Sequence, residues 1–313
     1  MAIDAEFSEV GSFDGTRLAW TAAGEGRSGV TVVLANGIVC TDTYWTYLFP
    51  YLADQGHRVV FWDYRAHGRS GPPADPDEVT LTAHARDLWA VADAAGAERV
   101  VLVGHSMGVQ TILEAYRLHP DRVAGLVAIA GPFEDPGRTF YGGPLGQVVF
   151  PILEASVRPL PWVSRAVWRT LAAQGDLMYW SGRASWMIGG NASRELMGEY
   201  FAHLTTLDPL VALRMVTAMR AHSARDLLGS IRVPTLVLAG AKDVMTPARI
   251  ATEMADAVSG ARLEVLADGS HTLPIDDPET VDRLVEEFVR GVEDGPRPRR
   301  RRRRAPGPDA SPS

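Results

Sequence analysis

With 313 residues, 46% of them hydrophobic, the chain can bury a large core, as one α/β domain with an insertion or as two ordinary domains. A net charge of −7 gives the folded body no reason to bind nucleic acid specifically, and the single cysteine, Cys40, excludes an intrachain disulfide. The N-terminus lacks the basic start and apolar run of a signal peptide, and no apolar stretch approaches bilayer length, so a cytoplasmic location is expected.

In chain order, residues 7–10 and 17–21 read as short strands around the turn Ser12-Phe13-Asp14-Gly15, a hairpin at the margin of a sheet. Residues 30–35, aliphatic except for Thr31, read as another buried strand and lead into Asn36-Gly37-Ile38. Tyr44, Trp45, Leu48, Tyr51 and Leu52 recur at helical spacing, and residues 58–62 supply the next strand. That strand ends in Asp63-Tyr64-Arg65-Ala66-His67-Gly68-Arg69-Ser70. Pro72, Pro73 and Pro76 then stiffen the crossing to a helix over residues 81–95.

A second aliphatic run, Val100 to Val103, meets Gly104-His105-Ser106-Met107-Gly108 and passes straight into helical spacing from Gln110 to Tyr116. A strand, a sharp turn and a helix therefore carry a serine at the apex. The two glycines flank Ser106 where the crowded turn has no room for side chains. Its hydroxyl would stand above the sheet, and an N–H at the start of the helix can face an oxyanion. His119-Pro120-Asp121 closes the helix, and residues 123–129 form another strand.

From residue 131 to about residue 226 the alternation of strand and helix stops. This stretch holds Trp162, Trp168, Trp180 and Trp186, half of the tryptophans, with helical spacing in Val163-Val167-Leu171 and in Met197-Tyr200-Phe201-Leu204. Strands resume over residues 231–240, followed by Ala241-Lys242-Asp243, and over residues 261–266, followed by Asp268-Gly269-Ser270-His271-Thr272. A final helix spans residues 279–289. Beyond Asp294 prolines surround an arginine run that begins at Arg299 and closes at Arg304, a disordered composition suited at most to weak contact with an anionic surface.

Taken together, the serine turn, the Asn36-Gly37-Ile38 exit, the Asp63 loop and the placement of Asp243 and His271 resemble the α/β-hydrolase family over roughly residues 7 to 292. The resemblance implies an α/β fold with a mostly parallel central sheet flanked by helices and a helical cap insertion. It divides the chain into a core of residues 1–131 and 227–292, a cap of residues 132–226 and a disordered tail of residues 293–313. It also implies a triad of Ser106, Asp243 and His271, in the chain order Ser, Asp, His, with an oxyanion hole from the backbone N–H groups of Ile38 and Met107. Asn36 stands where the family usually carries histidine. The oxyanion donor is a main-chain group, so this replacement leaves it in place. The Asp63 loop is similar to the family's Asp-x-Arg-Gly-His-Gly-x-Ser, with Ala66 for glycine, and implies a structural loop whose charges satisfy one another. Asp63, Arg65 and His67 are accordingly not assigned to catalysis. Asp268, Glu134 and Asp135 are rival acids, and Cys40 reads as a small buried residue. No cofactor or metal is implied, and the expected partner is a small molecule.

Such a triad divides three tasks. A neutral imidazole removes the serine proton, a carboxylate orients the imidazolium, and backbone donors hold the oxyanion. The expected activity is hydrolysis of a carboxylic ester, lactone or thioester of a small to medium apolar substrate through an acyl-enzyme. The same triad also serves carbon–carbon bond hydrolysis and cofactor-free haloperoxidase or perhydrolase chemistry. A non-catalytic binding member of the family usually lacks a triad residue, and here none is missing. A serine at the apex argues against haloalkane dehalogenases and epoxide hydrolases, which the family equips with aspartate at that position.

Overall fold

The aliphatic runs of the sequence become strands sandwiched between helices, since only there can both faces of such a run be buried. A computed structural model describes residues 4–26, 28–157 and 161–295. The first half of the chain supplies β1 (Ala5–Gly11), β2 (Arg17–Ala23), β3 (Val30–Ala35), α1 (Leu48–Asp54), β4 (Arg58–Trp62), α2 (Leu81–Ala94), β5 (Arg99–His105), α3 (Met107–Leu118) and β6 (Val123–Ile129). Six helices follow: α4 (Gly146–Val157), α5 (Pro161–Ala172), α6 (Gly175–Ala184), α7 (Arg194–Thr206), α8 (Pro209–Ala221) and α9 (Arg225–Leu228). The chain returns to the sheet with β7 (Thr235–Gly240), α10 (Ala248–Ala257), β8 (Arg262–Leu266), α11 (Leu273–Asp276) and α12 (Pro278–Asp294).

The eight strands lie in the order β1-β2-β4-β3-β5-β6-β7-β8. Both pairings of β2 are antiparallel, and the other pairings are parallel. Alternation along β5 divides the core. Val100 and Leu102 join Leu88 and Ile112 on one face, while Val101 and Val103 join Leu236, Val281 and Val285 on the other. The connections run outward to opposite edges from β3 and β5, so the loops after these neighbouring strands part and leave a crevice at their carboxyl ends. Asn36 and Ser106 sit at its two lips.

Three boundaries differ from the sequence reading. The helical pattern of residues 43–53 breaks into a short 3-10 turn, Asp42–Trp45, and α1, which places Pro50 in the first helical turn where its missing N–H costs nothing. β7 begins at Thr235, immediately after Pro234, a residue unable to donate to the ladder. α12 runs through Asp294, two residues into the stretch assigned to the tail. Val292 is buried there, and Glu293 Oε1 lies 3.1 Å from His57 Nδ1. The arginine run and its suggested anionic contact lie outside the described residues. Among the described residues no helix is long and apolar enough to cross a membrane.

Candidate active site

Three strand-end loops converge on one point. β5 delivers Ser106, the loop after β7 delivers Asp243, and the loop after β8 delivers His271. Ser106 sits at φ 54 and ψ −121, a conformation an L-residue adopts at a cost of about 1–3 kcal/mol. The flanking glycines let the turn close this tightly. A Cβ on Gly104 would lie 2.4 Å from the Gly108 carbonyl oxygen, and one on Gly108 would lie 2.1 Å from that of Ala35. Ser106 Oγ donates to His271 Nε2 at 2.9 Å, and His271 Nδ1 donates to Asp243 Oδ2 at 3.0 Å. This pattern of partners assigns the proton of the neutral ring to Nδ1.

Asp243 is held from all sides. Its Oδ1 accepts from the backbone N–H groups of Met245 and Thr246, both at 2.8 Å, and its Oδ2 accepts from Thr246 Oγ1 at 2.7 Å. Burial pushes its carboxyl up, but His271 and these donors outweigh burial and hold it below the ordinary carboxylate value. The rival acids are engaged elsewhere. Glu134 forks to Arg225, Asp135 caps the turn at Gly137, and Asp268 pairs with Lys242.

His271 is braced by residues that the sequence reading left without a role. His105 Nε2 donates to the His271 carbonyl oxygen at 2.9 Å. Burial, then the nearby His271, lowers His105 to about 3, so it remains a neutral donor. On the other flank Asp276 accepts from Ser270 Oγ and from Thr272 Oγ1, and Thr272 Oγ1 in turn accepts from the Gly189 N–H at 2.9 Å. The segment between β6 and β7 is thereby tied to the residue next to His271. A histidine within the serine turn and a carboxylate two residues before the final helix carry no sequence signal that separates them from core or cap residues.

The Asn36-Gly37-Ile38 exit brings Ile38 to the cavities that open on Ser106, and Met107 begins α3 directly after the serine. The Met107 N–H lies in the first helical turn, where the helix offers no internal acceptor. Asn36 is fully buried. Its side-chain amide donates to the Trp62 carbonyl at 3.1 Å, its side-chain oxygen accepts from Trp45 Nε1, and its own carbonyl accepts from Tyr64 Oη at 2.8 Å. These bonds hold the exit loop with asparagine in the usual histidine position. Cys40 is enclosed as well, and burial pushes its thiol far above the ordinary range, which leaves it unreactive.

The Asp63 loop stands away from both cavities. Asp63 accepts from Arg69 Nε at 2.8 Å, within the loop as expected. Arg65 instead reaches outside it, forking onto Asp87 at 2.8 and 2.6 Å and meeting Asp14 at 2.9 Å. The charges are thus satisfied partly by distant residues, which pins the loop to α2 and to the hairpin turn.

Two cavities meet at Ser106, each also reached by Ile38, Met245 and His271. The larger, about 340 Å³, runs beneath the helical segment between Met178, Ile188, Met197, Phe201 and Leu204. The smaller, about 150 Å³, lies between Phe140, Phe150, Val216 and Met219. An apolar void of about the smaller size accommodates benzene. No cluster of three or more His, Cys, Asp or Glu suited to a metal occurs among the described residues.

An eight-stranded, mostly parallel sheet with a serine, an acid and a histidine converging at its strand ends defines a hydrolase of the α/β class. The chain belongs to the α/β-hydrolase fold family. A family model described as alpha/beta hydrolase fold matches residues 30–146, and one described as TAP-like protein matches residues 208–301. The chain is 29% identical to Epoxide hydrolase A of Mycobacterium tuberculosis, over 90% of this chain and 96% of that one. It is 28% identical to the putative carbamate hydrolase RutD of Rhizobium rhizogenes, over 83% and 92% respectively. Among solved structures, the esterase EaEST from Exiguobacterium antarcticum superposes with a TM-score of 0.75 at 22% identity, covering 91% of this chain and all (100%) of that one.

Proposed function

We propose that the protein is a serine hydrolase that cleaves a carboxylic ester, lactone or thioester of a small to medium apolar substrate through an acyl-enzyme. The observation that carries this reading is the continuous hydrogen-bonded line from Ser106 Oγ through His271 to Asp243, opening on two apolar cavities. As Ser106 Oγ attacks the carbonyl carbon, His271 Nε2 takes its proton, and Asp243 offsets the charge of the imidazolium. The N–H groups of Ile38 and Met107 receive the oxyanion, aided by the positive end of α3, and each such donor contributes about 3 kcal/mol to the transition state. Collapse of the tetrahedral species expels the leaving group, which takes the proton from His271. Water, deprotonated by the same ring, then releases the acid and restores Ser106.

The relatives named for epoxide and carbamate hydrolysis mark how widely similar chains differ in substrate. Ser106 is an alcohol rather than a carboxylate, and its activation by a neutral histidine suits acyl transfer. A fluorophosphonate probe should label Ser106, and p-nitrophenyl acetate or butyrate should be hydrolysed. Ser106→Ala should lose both properties. Labelling that survives in Ser106→Ala would sink the assignment.

A further inference from the structure

The larger cavity contains two polar groups that the reaction does not use. Tyr44 follows the Asn36 exit, stacks on His105 with ring centroids 4.4 Å apart, and is 6% exposed. Tyr200, on α7, meets it edge to face at 6.2 Å. Both residues line the larger cavity, and neither hydroxyl has a hydrogen-bond partner among the described residues. The other polar side chains of the lining are turned onto the protein. Ser181 and Ser185 donate to the carbonyls of Met178 and Gly182, Thr272 to Asp276, and Cys40 to Ile38.

We propose that the hydroxyls of Tyr44 and Tyr200 recognise a neutral hydrogen-bond acceptor, a ketone, amide or ether oxygen, carried by the larger part of the substrate, while the smaller cavity takes plain hydrocarbon. The proposal rests on the serine-hydrolase reading and narrows its substrate class. A phenol left unpaired in an apolar wall is costly, whereas phenylalanine would fill the same space without that cost, so the hydroxyls fit a polar feature of the ligand. Burial holds both phenols well above their ordinary titration range, so each remains an O–H donor at working pH and calls for an acceptor. The lining includes no lysine or arginine, so a carboxylate or phosphate there would remain without a countercharge. The smaller cavity is walled by Phe140, Phe150, Val216 and Met219, and the guanidinium of Arg220, which also lines it, is engaged by Asp135 at 3.9 Å and by the Phe150 ring, so the cavity suits hydrocarbon.

The test compares p-nitrophenyl heptanoate with its positional ketone isomers, and heptyl butyrate with the matching oxoheptyl butyrates, because either cavity can hold the acyl side. At least one ketone isomer should exceed its parent in kcat/KM by about tenfold, since a donor left unpaired by the parent penalises it. That ratio should fall toward one in Tyr44→Phe and in Tyr200→Phe, each checked for a native melting transition. Ratios near one throughout in the wild-type protein, or a preference that survives both substitutions, would overturn the proposal alone. Absence of fluorophosphonate labelling at Ser106, together with no turnover of either parent ester, would overturn the serine-hydrolase reading and this proposal with it.

Discussion

The sheet and the helical segment between β6 and β7 treat apolar side chains in opposite ways. Val101, Leu102 and Val103 of β5 and Leu236 and Leu238 of β7 are all fully enclosed. In the helical segment Trp162 is 71% exposed and Leu177 63%, with Trp180, Trp186 and Val167 also more than half exposed. Among the described residues, α7 and α8 contribute Met197, Phe201 and Met215 to the common core, joined by Ala172 of α5 and Tyr179 of α6. The groups that would react are therefore carried at the ends of, or just beyond, strands enclosed on both faces, and the walls of the larger cavity by helices whose outer sides are exposed. Such a division lets geometry be strict where bonds change and permissive where a substrate is chosen.

Removing the acid at the rigid end should have the largest effect. Asp243→Asn is expected to lower kcat about 10⁴-fold with the fold intact, because the amide no longer stabilises the required tautomer and its imidazolium. Asp268→Asn and Glu134→Gln should stay within about twofold of wild type. A reversed ranking in steady-state assays would place the orienting acid on another loop.

Acid should act next, through histidines that only the buried interior keeps neutral. Burial lowers His67 to about 4 and His105 to about 3, and lowers His84 and the α7 residue His203 as well. Their depressed values mean that the unfolded chain binds protons which the folded one refuses. Stability is therefore complete above the ordinary histidine value near 6.5 and is lost as pH falls toward the folded values, by about 1.4 kcal/mol per pH unit for each fully buried ring. Asp282, which burial raises to about 7, and Asp87, which burial also raises, work in the opposite sense, but as two groups against four histidines. Denaturant midpoints that held constant between neutral pH and the onset of carboxylate protonation would contradict this ordering.

The smallest effect should come from the outer helices. Trp162→Gln replaces a ring that is already mostly in water, so the unfolding free energy should change by no more than about 0.5 kcal/mol. A loss of several kcal/mol on chemical denaturation would mean that this face is covered in solution and would erase the contrast with the sheet.

The same contrast explains what could be read in advance. Largely aliphatic runs such as residues 30–35 and 100–103 have few alternatives to a buried parallel strand, and the glycine spacing around Ser106 marks its turn without any tertiary knowledge. Asp243 and His271 are singled out by the resemblance to the α/β hydrolases rather than by any local pattern, and in the structure His271 lies 2.9 Å from Ser106 Oγ and 3.0 Å from Asp243 Oδ2. The periodic stripes in the helical segment were harder to read. Met197, Phe201 and Leu204 turned inward, yet Val167 and Leu171, equally regular, face solvent. Periodicity reveals an apolar face but not whether anything covers it. The bracing of His271 by His105, and of the exit loop by Asn36, depends on contacts spanning 166 and 26 residues, which no local pattern encodes.

The glycines on either side of Ser106 also bear on how the chain can change over generations. At positions 104 and 108 a new methyl group would strike a backbone oxygen, at 2.4 and 2.1 Å, and a backbone oxygen cannot be trimmed by a second substitution. Compensation is therefore closed at the turn, whatever selection acts on. A side chain such as Met178 or Phe201 meets mainly other side chains, each of which can be exchanged in turn. Inherited variation in what the protein accepts has open routes through the helical walls and almost none through the turn that holds the serine.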